Sequence, residues 1–189
     1  MILSMPRSGS SWIVKLVGQA DNALYLREPF TCWYHDAGHT NTMFEVHSDA
    51  QAPEPYRRAA QYAFEGYPAF RQQIAQFPEQ WTPFGVANKQ VVIKEVNPLA
   101  LGWYLQHGPV ALIFLIRHPV ATTKSFLRLG WWSGDQPEDW AEFGRRILEQ
   151  WTPTYEQMQY HASSLLVRYE DVSRPWRRRN ACTSSAISK

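Results

Sequence analysis

Residues 6–12, Pro-Arg-Ser-Gly-Ser-Ser-Trp, combine the residue types that bind an anion. Gly9 lets the backbone approach a ligand closely, and the successive N–H groups at the start of a helix face a negative charge. Ser10 and Ser11 add hydroxyl donors, and Arg7 adds a fixed positive charge. The alternative interpretation is a plain turn with a serine helix cap. The segment differs from a Walker A loop because serine, not lysine, follows Gly9. It is therefore less suited to binding a Mg-nucleoside triphosphate.

A second candidate phosphate site lies in the middle of the chain. Arg117 directly follows residues 110–116, an apolar run typical of a central parallel strand. Open α/β sheets bind ligands at the carboxyl ends of such strands. Ser125 lies two helical turns beyond His118, which is expected to cap the helix, and so returns to roughly the same face. Arg117 and Ser125 are thus placed to reach one phosphate; the alternative is an arginine at the sheet edge and an ordinary helical serine.

Apolar patterning predicts the elements that position these segments. Strands are predicted at residues 2–5, 23–26, 90–94, 110–116 and 164–168, with helices after the first, third and fourth strands. A further helix is predicted from Trp140, and Pro153 is expected to end or kink it. Residues 27–55 are expected to form a long surface excursion, and residues 56–77 one or two short helices. Strands alternating with helices predict a single α/β domain over residues 1–173, with a central, mainly parallel sheet flanked by helices.

The composition of the chain argues against a disordered protein and against a membrane-spanning one. The chain has 189 residues, 44% of them apolar, which is too high a fraction for disorder. The longest apolar run is too short to span a bilayer. No secretory signal is recognised at the start, and the two cysteines, Cys32 and Cys182, are expected to be free thiols. The sequence therefore predicts a cytoplasmic protein without a membrane span.

The positive charge of the chain is concentrated at its end. Residues 174–189 carry four arginines, one lysine and no acid, whereas the whole chain has a formal charge of +2. Residues 1–173 are therefore mildly acidic, and nucleic acid is not expected as a partner. Residues 174–189 show no apolar period, and we expect them to be a disordered tail.

Taken together, the two phosphate segments resemble the sulfotransferases that use 3′-phosphoadenosine 5′-phosphosulfate (PAPS). Their 5′-phosphosulfate loop reads Pro-Lys/Arg-Ser-Gly-Ser/Thr-Ser/Thr, often followed by Trp, and residues 6–12 match it throughout. Their 3′-phosphate segment has an arginine after an apolar strand and a serine eight residues later, as Arg117 and Ser125 do. A later Tyr-Glu-Asp element matches residues 169–171. The matches come in the family's order and imply a P-loop-like nucleotide-binding fold.

The resemblance implies a role for each matching residue. Trp12 is implied to stack on adenine, although a large apolar residue at a helix start also suits a core position. Tyr169 is implied to lie near the same base, or else to pack. Arg117 and Ser125 are implied to bind the 3′-phosphate. The residues implied to cradle the 5′-phosphosulfate are Arg7, Ser8, Gly9, Ser10 and Ser11.

The catalytic base implied by the resemblance is a glutamate. Cytosolic members of the family have Lys-Thr-His after the third strand, whereas this chain has Lys94 with Val96 at the histidine position. Carbohydrate and bacterial branches more often use a glutamate. Glu28, in a Glu-Pro element after the second predicted strand, is the favoured candidate and Glu95 the alternative. The third interpretation is that neither is the base, because both glutamates are also explained as surface charges or as partners of Arg27 and Lys94. Lys94 is implied to stabilise the bridging oxygen or the sulfuryl group, a task that Arg7 shares.

The implied reaction moves the sulfuryl group of PAPS to a hydroxyl or amine and releases 3′,5′-bisphosphoadenosine (PAP). Nine tryptophans offer apolar ring faces, which suit a carbohydrate or a small phenol or alcohol as the acceptor. The scheme requires no metal, and no His/Cys cluster has ligand spacing. The oligomeric state stays open.

Two other functions compete with a sulfotransferase. A P-loop-like nucleotide kinase would have the same type of fold and a phosphate loop. However, the Gly-Lys-Ser/Thr signature and an acidic Mg²⁺ motif are missing from this sequence. A noncatalytic nucleotide-binding remnant is the third interpretation, because the family usually continues well beyond Tyr-Glu-Asp with a late Arg-Lys-Gly-type loop. We expect residues 174–189 to replace that region in a C-terminally truncated domain.

Overall fold

Five parallel strands form the central sheet, in the spatial order β2-β3-β1-β4-β5. The computed structural model describes residues 1–41, 43–65, 73–81, 88–108, 111–131 and 137–173. The strands are β1 (Ile2–Ser4), β2 (Ala23–Arg27), β3 (Gln90–Glu95), β4 (Leu112–Ile116) and β5 (Ser164–Arg168). The predicted single α/β domain with a central parallel sheet is confirmed, and each predicted strand is present within a few residues.

Helices flank both faces of this sheet. They are α1 (Ser10–Val17), α2 (Pro29–Asp36), α3 (Glu54–Phe64), α4 (Leu101–Gln106), α5 (Pro119–Arg128), α6 (Pro137–Gln159) and α7 (Tyr169–Ser173), with short 3₁₀ turns at Pro78–Trp81 and Pro98–Ala100. As predicted, His118 caps α5, because its ring nitrogen accepts from the Val120 N–H at 3.3 Å. No described helix has both the length and the apolar character that a membrane crossing requires.

Alternate residues of the strands build two apolar cores on the opposite faces of the sheet. Ile2, Tyr25 and Leu115 pack with α1 on one face. The other face carries the larger core, in which Leu3 and Phe114 pack with residues of α2, α3 and α4. Because side chains alternate along a strand, this pattern also decides on which face of the sheet each polar side chain at a strand end lies.

The connections of the sheet diverge between β1 and β4. The chain leaves β1 towards β2 on one side and leaves β4 towards β5 on the other. Such a divergence opens a crevice at the carboxyl edge of a parallel sheet, where ligands of this fold class bind. The loop that contains Arg7 follows β1, and Arg117 follows β4, so the order of the strands brings both cations to this crevice.

One expectation about these elements is wrong, and at Pro153 one of the two expected outcomes, the end of the helix, is excluded. Residues 27–55 are not a continuous excursion, because α2 lies inside them and its Phe30 is fully buried. Pro153 does not end a helix, because α6 continues through it to Gln159. Tertiary contacts override the proline: Thr154 is buried and its hydroxyl donates to the Pro98 carbonyl at 3.0 Å. The expected tail at residues 174–189 lies outside the described residues.

Candidate functional site

A cleft of about 720 Å³ opens at the carboxyl edge of the sheet, where the connections diverge. The loop after β1, the ends of β2 and β3 and the residue that follows β4 all contribute to its lining. The residues that line it are Pro6, Arg7, Gly9, Ser10, Ser11, Trp12, Arg27, Glu28, Thr31, Cys32, His35, Thr40, Met43, Lys94, Val96, Arg117, Phe126 and Trp131. Most of the residues singled out in the sequence therefore share one cavity.

Two residues in the loop between β1 and α1 have a positive backbone φ angle. Arg7 has φ 66° and Gly9 has φ 88°. Gly9 precedes α1 without a side-chain cap, and its carbonyl accepts from the N–H of Trp12 at 3.0 Å. The serine cap of the alternative interpretation is therefore absent. The Ser8 hydroxyl is buried without a hydrogen-bond partner, and Ser8 does not line the cleft.

The two predicted phosphate segments contact each other directly. Arg7 Nε donates to Ser125 Oγ at 2.9 Å, although 118 positions separate them in the chain. Arg117 donates from a terminal guanidinium nitrogen to the Arg7 carbonyl at 3.1 Å. Ser125 itself is buried on α5 and does not line the cleft. Arg7, Arg117 and Ser125 thus form one hydrogen-bonded group at the junction of β1 and β4.

Tyr169 covers the outer side of the loop. Its ring occupies the space beside Gly9 that a Cβ atom would need. The guanidinium of Arg117 lies 4.9 Å from the centre of the same ring, a cation–π arrangement. Trp12 meets it edge-on, with ring centres 6.3 Å apart, and is 41% exposed. These contacts favour a loop-side position for Trp12 rather than a core position.

Glu28 and Lys94 form an ion pair in the lining of the cleft. Lys94 Nζ donates to Glu28 Oε1, and Arg27 Nε lies 3.9 Å from the same oxygen. The Lys94 side chain is almost fully buried, whereas 18% of the Glu28 side chain is exposed, and both line the cleft. Lys94 is therefore not a strand-end lysine that reaches solvent, and Glu28 is not an isolated surface charge.

Glu95, the alternative base, points to a different place. It is fully buried and does not line the cleft. Its carboxylate accepts hydrogen bonds from the N–H groups of Phe30, Thr31 and Val96 and from the Thr31 hydroxyl. Burial raises the pKa of Glu95 to about 7, against the lowering effect of the Thr31 hydroxyl. The neighbouring residues Lys94 and Glu95 thus serve different parts of the fold.

Positive charge dominates the lining of the cleft. Arg7, Arg27, Lys94 and Arg117 contribute cations, and Glu28 is the one carboxylate among the described lining residues. A positively charged cavity attracts a polyanion, and the low dielectric constant of the surrounding protein strengthens the attraction. A single carboxylate next to that cavity is positioned to take a proton from a second ligand. The arrangement is therefore suited to a transfer from an anionic donor to a neutral acceptor.

Several lining residues carry no signal in the sequence. His35, Thr40 and Met43 come from α2 and the segment that follows it, and Phe126 comes from α5. They have neither motif spacing nor an unusual composition, so only the tertiary fold identifies them. Trp131, one of the nine tryptophans whose ring faces the sequence offers to an acceptor, lies with its ring centre 5.8 Å from the Arg7 guanidinium carbon.

Comparisons with known proteins give no family for this chain. No protein-family model matches it, and no match is found among curated proteins. Among the described residues, no group of three or more His, Cys, Asp or Glu side chains is arranged to hold a metal ion. The geometry of the cleft is therefore the basis for a functional assignment.

Proposed function

We propose that this protein is a sulfotransferase that moves the sulfuryl group of PAPS to a hydroxyl or amine acceptor. The observation that carries the proposal is that two segments far apart in the chain, each with a candidate phosphate-binding arginine, meet at one cleft that a carboxylate–ammonium pair also lines. Arg7 and Arg117 are hydrogen-bonded to one another's segment, and Glu28 and Lys94 line the same cleft. The strand order is consistent with a P-loop-like fold.

The residues around the loop fit a donor whose ribose carries a phosphate group at both its 3′ and its 5′ position. N–H groups at the start of α1, with the hydroxyls of Ser10 and Ser11, supply donors for the 5′-phosphosulfate. Arg117 and Ser125 supply a cation and a hydroxyl for the 3′-phosphate, which ordinary nucleotides lack. Trp12 and Tyr169 present aromatic surface beside the loop for adenine.

Glu28 and Lys94 divide the chemistry of the transfer between them. The Glu28 carboxylate accepts the acceptor's proton as the acceptor oxygen or nitrogen bonds to sulfur. The bond between sulfur and the bridging oxygen breaks, and its electron pair stays on the 5′-phosphate of PAP. Lys94 and Arg7 stabilise the negative charge that develops there. The protein's contribution is positioning and electrostatic stabilisation, as in phosphoryl transfer.

The acceptor is proposed to be a carbohydrate or a small phenol or alcohol, or an amine. Trp131, Phe126 and Met43 give the cleft apolar surface, and His35 and Thr40 give it polar groups. A flat ring that carries a hydroxyl suits this mixture.

The test is a transfer screen with ³⁵S-labelled PAPS against panels of sugars, phenols, aliphatic alcohols and amines. We expect label to move to at least one acceptor, with release of stoichiometric PAP. Complete inactivity against every panel, with PAP binding intact, would favour a noncatalytic nucleotide-binding protein and overturn the enzymatic part of the proposal.

A further inference from the structure

Glu95 is a buried acidic residue beside the Glu28–Lys94 pair that the proposed transfer does not use. It ends β3, directly after Lys94. Because side chains alternate between the faces of a strand, Lys94 and Glu95 leave β3 on opposite faces. Lys94 reaches Glu28 at the cleft, whereas Glu95 reaches the first turn of α2.

The Glu95 carboxylate satisfies the N–H groups that open α2. The first turn of any helix has N–H groups without partners inside the helix. Pro29 has none to satisfy, and the N–H groups of Phe30 and Thr31 donate to Glu95 Oε1 at 2.7 and 3.3 Å. The Thr31 hydroxyl donates to Oε2 at 2.7 Å. Glu95 thus fixes the start of α2 from a strand that is more than 60 positions away in the chain.

Glu28 lies at the junction that these bonds fix. Its backbone is left-handed, with φ 47° and ψ 45°, a conformation that a residue with a side chain keeps only when its surroundings impose it. The Glu28 N–H donates to the Lys94 carbonyl at 2.7 Å on one side. On the other side, α2 begins at once and is tied to Glu95. Two consecutive residues of β3 therefore hold Glu28 from both directions.

We propose that Glu95 is a positioning residue that anchors the first turn of α2 and thereby aims the Glu28 carboxylate into the cleft. Both oxygens of Glu95 are occupied by donors, and the residue does not line the cleft, so it touches neither donor nor acceptor. The proposal rests on the proposed function, because it gives Glu28 the role of the base. Small displacements of a catalytic group cost large factors in rate, about 100-fold for 1 Å.

A double-mutant cycle in the full chain tests whether Glu95 acts through Glu28. The variants are Glu95→Gln, Glu28→Gln and the two combined, assayed with ³⁵S-PAPS and the best acceptor from the screen. We expect Glu95→Gln alone to lower kcat by about 10- to 100-fold, with KM for PAPS and Kd for PAP within about twofold of wild type. In the Glu28→Gln background, the same change should have no further effect, since residues that act as a unit are not additive.

Two results would overturn the proposal. Losses that multiply in the double variant would mean that Glu95 acts independently of Glu28. Retained turnover in Glu28→Gln, with turnover abolished in Glu95→Gln, would make Glu95 itself the base. The matched control is Glu142→Gln at a partly exposed glutamate of α6 that pairs with Arg145 and Arg146, and this change should leave kcat unchanged.

A second variant, Thr31→Val, tests the same proposal if Glu95→Gln does not fold. Thr31→Val removes the hydroxyl donor to Glu95 Oε2 and keeps the size and the charges of the site. It should lower kcat in the same direction by a smaller factor and should also have no effect in the Glu28→Gln background. A reduction of the same factor in that background would contradict the proposal.

Amide hydrogen exchange separates failure of this proposal from failure of the proposed function. In Glu95→Gln, or in Thr31→Val, exchange across residues 28–36 should accelerate several-fold, while exchange across α1 stays at the wild-type rate. This readout needs no acceptor, so it applies even if wild type transfers no label. Unchanged exchange across residues 28–36 would overturn the anchoring role, whatever the transfer assay gives.

Discussion

The ring of Tyr169 lies where a Cβ atom on Gly9 would have to be. Gly9 also has φ 88°, a backbone conformation that residues with side chains rarely adopt. Two independent requirements, one of backbone conformation and one of space, therefore demand glycine in the loop between β1 and α1. The same contact joins the loop to the start of α7, more than 150 positions later in the chain.

Gly9→Ala should destabilise the protein by more than the backbone strain alone. The left-handed conformation costs roughly 1–2 kcal/mol for alanine, and overlap with Tyr169 adds roughly 1–3 kcal/mol. Gly38→Ala is a matched control, because Gly38 has φ 90° and no atom of the described residues lies within 4 Å of the added Cβ. Urea denaturation of both variants should show the larger loss for Gly9→Ala, and adding Tyr169→Ala should recover part of the difference. Equal losses at the two glycines would contradict the contact.

Ser125→Ala should weaken the binding of PAP. The substitution removes the hydroxyl that holds Arg7 Nε at 2.9 Å and that we propose as a donor to the 3′-phosphate. Loss of such bonds costs about 1 kcal/mol or more, so Kd for PAP should rise roughly tenfold in calorimetric titrations. Ser163→Ala, an exposed position before β5, should leave Kd unchanged. An unchanged Kd in Ser125→Ala would remove this residue from the nucleotide site.

Glu28→Gln should abolish most transfer without loss of nucleotide binding. The amide keeps the shape of the side chain but cannot take the acceptor's proton, so kcat should fall by about 10²–10⁴-fold. Kd for PAP should not rise, because the change removes a negative charge from the cleft. Steady-state kinetics with the screened acceptor and a PAP titration check both parts. Full turnover in this variant would discard Glu28 as the base.

Glu95→Gln should change how stability depends on pH. Burial raises the pKa of Glu95 from 4.5 to about 7, so the folded state holds a proton that the unfolded state releases between these values. The contribution of Glu95 to stability is therefore fully present below pH 4.5 and falls as pH rises to about 7. Urea midpoints measured from pH 5 to 8 should decline less in Glu95→Gln than in wild type. Parallel pH profiles would contradict the raised pKa.

The positions of the strands in the sequence and the loop between β1 and α1 were predictable because their signals are local. A continuous apolar run predicts β4, and residues 6–12 carry their own turn, glycine and helix start. Helix α2 was missed because its residues show no clear apolar period, and its first turn depends on Glu95, a residue that is distant in sequence. Tertiary hydrogen bonds of this kind leave no trace in local composition.

The site was predictable only in its parts. Arg7 and Ser125 were each singled out, but nothing in the sequence indicates that one donates to the other. Glu28 and Glu95 were both plausible bases, and only the alternation of faces along β3 and the path of α2 separate their surroundings. Met43 and His35 line the cleft through the fold alone.

Selective binding of a 3′-phosphorylated adenine nucleotide tests the central claim most directly. In calorimetric titrations, PAP should bind at least tenfold more tightly than 5′-AMP or Mg-ATP, because we propose that Arg117 and Ser125 bind the 3′-phosphate with a cation and a hydroxyl. Arg117→Ala should reduce the affinity for PAP to that for 5′-AMP. Tighter binding of Mg-ATP than of PAP would contradict the account and favour a nucleotide kinase.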